Sequence, residues 1–124
     1  AEMSRLSSKM GGNPLSFLGL AGLGDLYVTS VSPLSRNFRV GRALAEGLSL
    51  DAAEAQLGQV AEGVNTLRLV HARCEEFGIV MPILDALYQV IFGGKPVRQM
   101  AVHMMQAAHT SDVEFLMPGA NPAL

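Results

Sequence analysis

Apolar side chains recur at helical spacing over most of the chain, and short segments rich in glycine and proline separate the helical stretches. The clearest pattern covers residues 62–77. A second begins at Pro82, has apolar positions through Ile91 and is stopped by Gly93-Gly94, and a third covers residues 96–107. Proline opens the last two stretches, where its missing N–H removes no helical hydrogen bond. These three segments are predicted to be amphipathic helices that bury one face.

The first half of the chain predicts shorter helices. A helix over residues 13–18 begins with Asn-Pro, and Asp25 begins another after three closely spaced glycines, which let backbones approach each other. Serine caps and glycine stops bound two more, over residues 34–46 and 50–57. With a first helix over residues 1–10, the pattern predicts an all-α fold. We expect a compact multi-helix domain over residues 1–109 and an irregular tail over residues 110–124.

Composition supports this fold and narrows the function. Aromatic residues make up 6% of the chain and β-branched runs are scarce, which favours helix over sheet. The net charge of -2 provides no basic field for nucleic acid, and no apolar run is long enough to span a membrane. We therefore expect a cytoplasmic protein. Cys74 is expected to be a buried small hydrophobe, and the histidine spacing predicts no metal site.

Polar residues that could hold a small ligand follow the three glycines. Asp25 and Thr29 stand four residues apart, so both side chains project from one face of a helix. Ser35-Arg36-Asn37 then supplies a hydroxyl, a guanidinium fork and an amide at a helix start, a set that suits a phosphate. Each feature also has a purely structural explanation. Asp25 complements a helix dipole, and Ser35 caps a helix beside a solvated Arg36.

Two further features are weaker evidence for a ligand-binding site. The glycines before Asp25 lack the third position of a dinucleotide-binding fingerprint and follow no predicted strand, so that interpretation fails. Glu62 opens the longest helix, where an acidic residue is common because it complements the helix dipole. The chain also begins without Met, in the pattern of the last turns of a helix, so we expect it to have been cut from a longer protein.

Five segments together are more specific than any one of them. They are AEMSRL, GLAGLGDL with a threonine four residues past its aspartate, SPLSRN, GQVAEGVNT and GIVMPI. In order and spacing, from residue 1 to about residue 106, they resemble the C-terminal domain of bacterial-type NAD(P)-dependent glycerol-3-phosphate dehydrogenases. The resemblance implies an all-α domain of the 6-phosphogluconate dehydrogenase C-terminal type. It also implies a preceding Rossmann domain that binds NAD or NADP.

The resemblance implies a role for each polar residue described above. Asp25 and Thr29 would support catalysis at the substrate. The implied substrate contacts are Asp25, Ser35, Arg36 and Asn37. The substrates implied are dihydroxyacetone phosphate and sn-glycerol 3-phosphate.

The cofactor contacts implied by the same resemblance are Arg36, Val60 and Glu62. The general acid/base lysine of the family lies upstream of the AEMSRL segment and is not in this chain. Lys9 follows that segment and does not match it. We therefore expect the chain to be inactive without the preceding domain.

The resemblance implies that the complete protein is a homodimeric oxidoreductase that supplies glycerol phosphate for phospholipid synthesis. The alternative is a non-catalytic helical module that binds a partner through an apolar face such as Ile83, Leu87 and Val90. Its support is the amphipathic pattern alone, which formation of a core already explains.

Overall fold

The computed structural model describes residues 1–58, 60 and 62–106, so the tail predicted over residues 110–124 and the domain end at 109 lie outside the described residues. Within the described ranges every regular element is helical, which confirms the all-α prediction. The α-helices are α1 (Glu2–Lys9), α2 (Asp25–Val31), α3 (Arg36–Ala45), α4 (Leu50–Leu57), α5 (Glu62–Phe77), α6 (Pro82–Ile91) and α7 (Val97–Gln106). Helices α3 and α4, α5 and α6, and α6 and α7 pack as neighbours, and α3 also contacts α2 and α7.

Local capping residues define the helix ends around α3 and α4. The Ser35 hydroxyl accepts a hydrogen bond from the backbone N–H of Phe38 at 3.3 Å, and Ser49 does the same for Ala52 at 3.2 Å. Gly58 ends α4 in the left-handed conformation, with φ of 63°. Helix α3 therefore begins two residues later than the predicted segment, because Ser35 is its cap.

The glycine-rich segment before α2 forms a turn that the sequence pattern did not predict. Residues Leu20–Gly24 make a single π-helical turn that runs directly into α2. A Cβ on Gly22 would lie 2.7 Å from both the Cα and the carbonyl oxygen of Phe17, in the 3-10 turn over Pro14–Leu18. Glycine is required there because two backbones touch, which confirms the predicted close approach.

This π-helical turn changes the interpretation of Asp25. Amides at the start of α2 donate to the carbonyls of Leu20 and Gly22 in the preceding turn. Asp25 therefore does not sit at an isolated helix start with unpaired amides. Complementing a helix dipole is a weaker explanation of this carboxylate than the sequence implied.

A small apolar cluster joins α1, α5 and α6. Its buried members are Cys74, Ile79 and Met81, and the side chains packed against them are Leu6, Val70 and Leu84. The Cys74 thiol donates to the Met81 sulfur at 3.0 Å. Burial raises the pKa of the Cys74 thiol, and the Glu2 carboxylate raises it further. The thiol therefore stays protonated, as expected for a structural cysteine.

Stacked rings also join α5 to α6. The His71 ring stacks on Tyr88 with 3.8 Å between centroids, and Tyr88 meets Phe92 at 4.8 Å. The Arg68 guanidinium lies 4.8 Å from the Phe92 ring centroid. His71 Nε2 is 3.4 Å from a carboxylate oxygen of Asp85. The two helices therefore form one packed pair along their shared length.

Glu2 connects the start of α1 to the start of α6. Its carboxylate accepts hydrogen bonds from the backbone N–H groups of Ile83 at 2.6 Å and Leu84 at 3.1 Å. Arg5, one turn along α1, donates to the carbonyl oxygen of Val80. The first amides of a helix lack partners within it, and a carboxylate there also complements the helix dipole. The AEMSRL segment therefore caps a helix about eighty residues away in sequence.

Replacing Glu2 with alanine is expected to free the first amides of α6. Losing a carboxylate cap destabilises a helix end by about 1 to 2 kcal/mol. The hydrogen-exchange rates of the Ile83 and Leu84 amides should therefore rise by about 5- to 30-fold. We expect much less change for Glu76→Ala, because Glu76 is paired with Arg73 on the surface of α5 at 2.6 Å. Equal effects of the two substitutions on these amides would contradict the capping role.

Several large apolar side chains are exposed in the described part of the chain. Leu20 is 92% exposed and Leu34 is 87% exposed. On α6, Ile83 and Leu87 are 54% and 49% exposed, whereas Val90 is half-buried. The α6 face proposed as a partner surface is therefore one of several such surfaces. Among the described helices, none combines the length and the apolar character that crossing a membrane requires.

Candidate functional site

The first turn of α3 presents polar groups to solvent. Ser35 caps the helix through its hydroxyl, and Arg36 and Asn37 are the first two helical residues, both exposed. The leading amides of an α-helix have no partner within the helix and carry a partial positive charge. A guanidinium, an amide and a helix start together favour a small anion.

The start of α5 lies beside the start of α3. Arg36 Nη1 is 3.7 Å from Glu62 Oε1, and the two side chains are 57% and 87% exposed. This distance is too long for a good hydrogen bond, and exposed ion pairs contribute little to stability. Because this ion pair is weak, a dianionic ligand could replace Glu62 as the partner of Arg36 with little loss of free energy.

A cavity of about 350 Å³ lies between these two helix starts. Its size falls within the range of about 300 to 1,000 Å³ found for small-ligand sites. The lining residues are Leu34, Ser35, Arg36, Asn37, Glu62 and Gly63. The structure therefore brings together four of the seven candidate residues named from the sequence: Ser35, Arg36, Asn37 and Glu62.

The other three candidates lie outside this lining, as far as the described residues show. Val60 is 64% exposed and lies two residues before Glu62. Asp25 is exposed at the start of α2, and Thr29 is half-buried one turn later. Helix α2 packs against α3, so it flanks the helix that carries Arg36. Convergence of Asp25 and Thr29 on the ligand held by Arg36 stays a prediction.

The lining is better suited to an anion than to a metal ion. In the described ranges, no group of three histidine, cysteine or acidic side chains is arranged to hold a metal. Glu62 contributes the acidic group of the cavity lining and stands against Arg36. The donors that remain are the guanidinium of Arg36, the amide of Asn37 and the helix start, all of which bind phosphate oxygens.

Residues 1–102 match the protein family described as NAD-dependent glycerol-3-phosphate dehydrogenase C-terminus. The chain belongs to this family. The match covers every candidate residue, from Asp25 to Glu62. It agrees with the resemblance carried by the five sequence segments.

Members of the family include close relatives of this chain. Proteins named glycerol-3-phosphate dehydrogenase, NAD(P)+, from Acinetobacter baumannii strain AYE and Psychrobacter cryohalolentis are 52% and 54% identical to it. These alignments cover 95% and 94% of this chain but 33% and 27% of the relatives. The chain therefore spans about a third of the length of the relatives it matches.

A solved structure of a family member has the same fold. The crystal structure of glycerol-3-phosphate dehydrogenase from Coxiella burnetii superposes with a TM-score of 0.82 at 35% sequence identity. The match covers 86% of this chain and 33% of that protein. The helical architecture described above is therefore an architecture of this enzyme family.

Sequence reasoning missed one member of the cavity lining that matters for its shape. Gly63 lies inside the GQVAEGVNT segment, yet the sequence pattern gave it no role. A Cβ at this position would lie 2.8 Å from the side-chain oxygen of Asn37. The signal in the sequence was a glycine within the first turn of a helix, where glycine is unfavourable unless space requires it.

Proposed function

We propose that this chain is the substrate-binding domain of an enzyme that interconverts dihydroxyacetone phosphate and sn-glycerol 3-phosphate with NAD(P)H. The observation that carries the proposal is the shared cavity that Arg36, Asn37 and Glu62 line between two helix starts. Its donors suit a phosphate dianion, and family membership supports the reaction type. Relatives that carry this enzyme name match nearly the whole chain.

Binding of the substrate phosphate is the task we assign to α3. Arg36 provides a fork of donors for two phosphate oxygens, and the Asn37 amide provides one more. The Ser35 hydroxyl accepts from Phe38, and its hydrogen is left to donate to the ligand. Holding the phosphate fixes the position of the C2 carbonyl that is reduced, so binding energy from a remote group lowers the barrier.

Asp25 and Thr29 are proposed to act near the reacting carbon. From neighbouring turns of α2 they present a carboxylate and a hydroxyl on one face, which can orient the substrate hydroxyl and carbonyl. We assign the proton delivered to the carbonyl oxygen to a lysine that precedes this chain. Lys9, at the far end of α1, takes no part in this proposal.

The cofactor side of the proposal rests on Arg36, Val60 and Glu62. The exposed Glu62 carboxylate beside the Arg36 guanidinium suits the polar part of a nicotinamide ribose unit, and the exposed apolar side chain of Val60, two residues before Glu62, suits its flat part. When bound, NADH or NADPH supplies the hydride to the substrate carbonyl. The preceding Rossmann domain is proposed to hold most of the cofactor, and the complete enzyme is proposed to be a cytoplasmic homodimer that serves phospholipid synthesis.

No observation on the described residues specifically supports the alternative, a non-catalytic helical module that binds a partner. Its proposed face on α6 is partly exposed, as are other apolar surfaces of the described chain. It explains neither the cavity nor its donors. We therefore favour the enzyme.

An assay of the complete protein that contains this chain tests the proposal. We expect oxidation of NADH or NADPH to depend on dihydroxyacetone phosphate, because the phosphate supplies the binding energy at Arg36. Dihydroxyacetone, which lacks the phosphate, is the matched control and should give no measurable turnover. Equal turnover of both compounds, or reduction of an unrelated oxo acid in their place, would overturn the proposal.

A further inference from the structure

We infer that Gly63 is a positioning residue for the phosphate site, because its missing side chain leaves room for the amide of Asn37. The inference rests on the proposed function, since it acts through a residue assigned there to the phosphate. Gly63 itself touches no reacting atom in this scheme. It decides where a neighbouring donor can lie.

The geometry places the two residues side by side in the lining of the cavity. Gly63 is the second residue of α5, and Asn37 is the second residue of α3. A Cβ built on Gly63 would lie 2.8 Å from Asn37 Oδ1 and 3.3 Å from both Cγ and Nδ2. The first distance is shorter than any real carbon–oxygen contact of this kind, so one of the two groups would have to move.

The backbone gives no other reason for glycine at this position. The glycines with positive φ in the described chain are Gly11, Gly47, Gly58, Gly78 and Gly94. Gly63 is not among them and lies in a regular helix, where alanine is the better residue. Glycine is therefore unfavourable for the helix and favourable for the neighbouring amide. A site that binds ligands explains this choice, and helix stability does not.

The contact also determines what an added methyl group would displace. The clashing atoms belong to the end of the short Asn37 side chain, and this exposed amide can rotate without any movement of the backbone. Gly63→Ala should therefore leave the fold intact and turn the amide away from its place in the cavity. This variant is therefore expected to bind the phosphate more weakly while it keeps its fold.

The first test compares two glycine-to-alanine substitutions in the complete protein. Gly41 lies inside α3, where an added Cβ would meet nothing within 4 Å, so Gly41→Ala is a matched control. We expect Gly63→Ala to lower kcat/KM for dihydroxyacetone phosphate by about 10- to 100-fold, mainly through KM, as for loss of a hydrogen bond to a charged group. Gly41→Ala should leave kcat/KM unchanged. Both should keep or raise the melting temperature.

A double substitution shows whether the effect passes through Asn37. Asn37→Ala should lower kcat/KM by a similar factor, and adding Gly63→Ala to it should cause little further loss. Multiplied losses in the double variant would overturn the inference, because the methyl group would then act on something else. A lower melting temperature for Gly63→Ala beside a stable Gly41→Ala would also overturn it.

The same variants separate failure of the inference from failure of the proposed function. If Asn37→Ala is impaired and Gly63→Ala is not, the phosphate site stands and only the role of Gly63 is rejected. If Asn37→Ala leaves kcat/KM unchanged, the phosphate role of Asn37 is rejected, and the role of Gly63 falls with it.

Discussion

Replacing Arg36 with alanine in the complete protein is expected to lower kcat/KM for dihydroxyacetone phosphate by about 30- to 1,000-fold. Loss of one bidentate, charge-assisted contact removes about 2 to 4 kcal/mol of transition-state stabilisation, and each 1.4 kcal/mol is tenfold in rate. Arg36 can make this contact because its present partner, Glu62, lies 3.7 Å away in an exposed pair. Steady-state kinetics with varied substrate measure the change.

Arg42→Ala is the matched control for this experiment. Arg42 lies on the same helix, and its Nε donates to Glu46 Oε1 at 2.9 Å in an exposed pair one turn apart. Removing it changes the net charge by the same amount, yet kcat/KM should stay within about a factor of two, as expected for an exposed pair. Arg36→Lys should fall between the wild type and Arg36→Ala, because lysine keeps the charge and loses the fork. Equal losses for Arg36→Ala and Arg42→Ala would reject the clamp.

Replacing Met81 with alanine is expected to destabilise the α5–α6 pair by about 2 to 5 kcal/mol. Met81 is 7% exposed and packs in the cluster with Cys74 and Ile79, where its sulfur accepts from the Cys74 thiol. The substitution leaves a cavity and removes that acceptor from a buried thiol. Native-state hydrogen exchange of the α5 and α6 amides in the complete protein reports the loss as a lower free energy of opening.

Val80→Ala is the control beside it. Val80 precedes Met81 in the chain but is 72% exposed, so its truncation should change the opening free energy by no more than about 0.5 kcal/mol. The carbonyl of Val80 that accepts from Arg5 is a backbone group and is kept in this variant. Similar effects at the two neighbours would show that the buried cluster does not determine the stability of this helix pair.

Features that depend on a few adjacent residues can be predicted from the sequence. The pattern predicts that Ser49 caps α4 and that Gly58 ends it, and both do so, because a serine hydroxyl and a left-handed glycine act within one turn. Proline at the first position of α6 marks that helix in the same way. The all-α class follows from such local rules.

Features that depend on distant residues cannot be predicted in this way. Nothing near Glu2 in sequence shows that it caps α6, because the amides it accepts from lie 81 and 82 residues later. The π-helical turn over Leu20–Gly24 also depends on contact, since Gly22 must pass against the backbone of Phe17. Periodicity describes one helix at a time and contains no information about which helix ends meet.

The candidate site is predictable in part for the same reason. Arg36 and Asn37 stand out because they follow a serine cap, and Glu62 opens a helix, yet their meeting in one cavity requires two helix starts to pack together. Gly63 is not identified from the sequence because its role depends on the space it leaves for Asn37, a residue of another helix. Convergence of Asp25 and Thr29 on the same ligand stays a prediction.

The contact between Glu2 and α6 can form only late in the synthesis of this chain. Glu2 of α1 accepts hydrogen bonds from Ile83 and Leu84, which are synthesised about eighty residues later. At roughly 5 to 20 residues per second, a ribosome needs about 4 to 16 s to add that stretch. The hydrogen bonds by which Glu2 caps α6 can therefore form only after this interval.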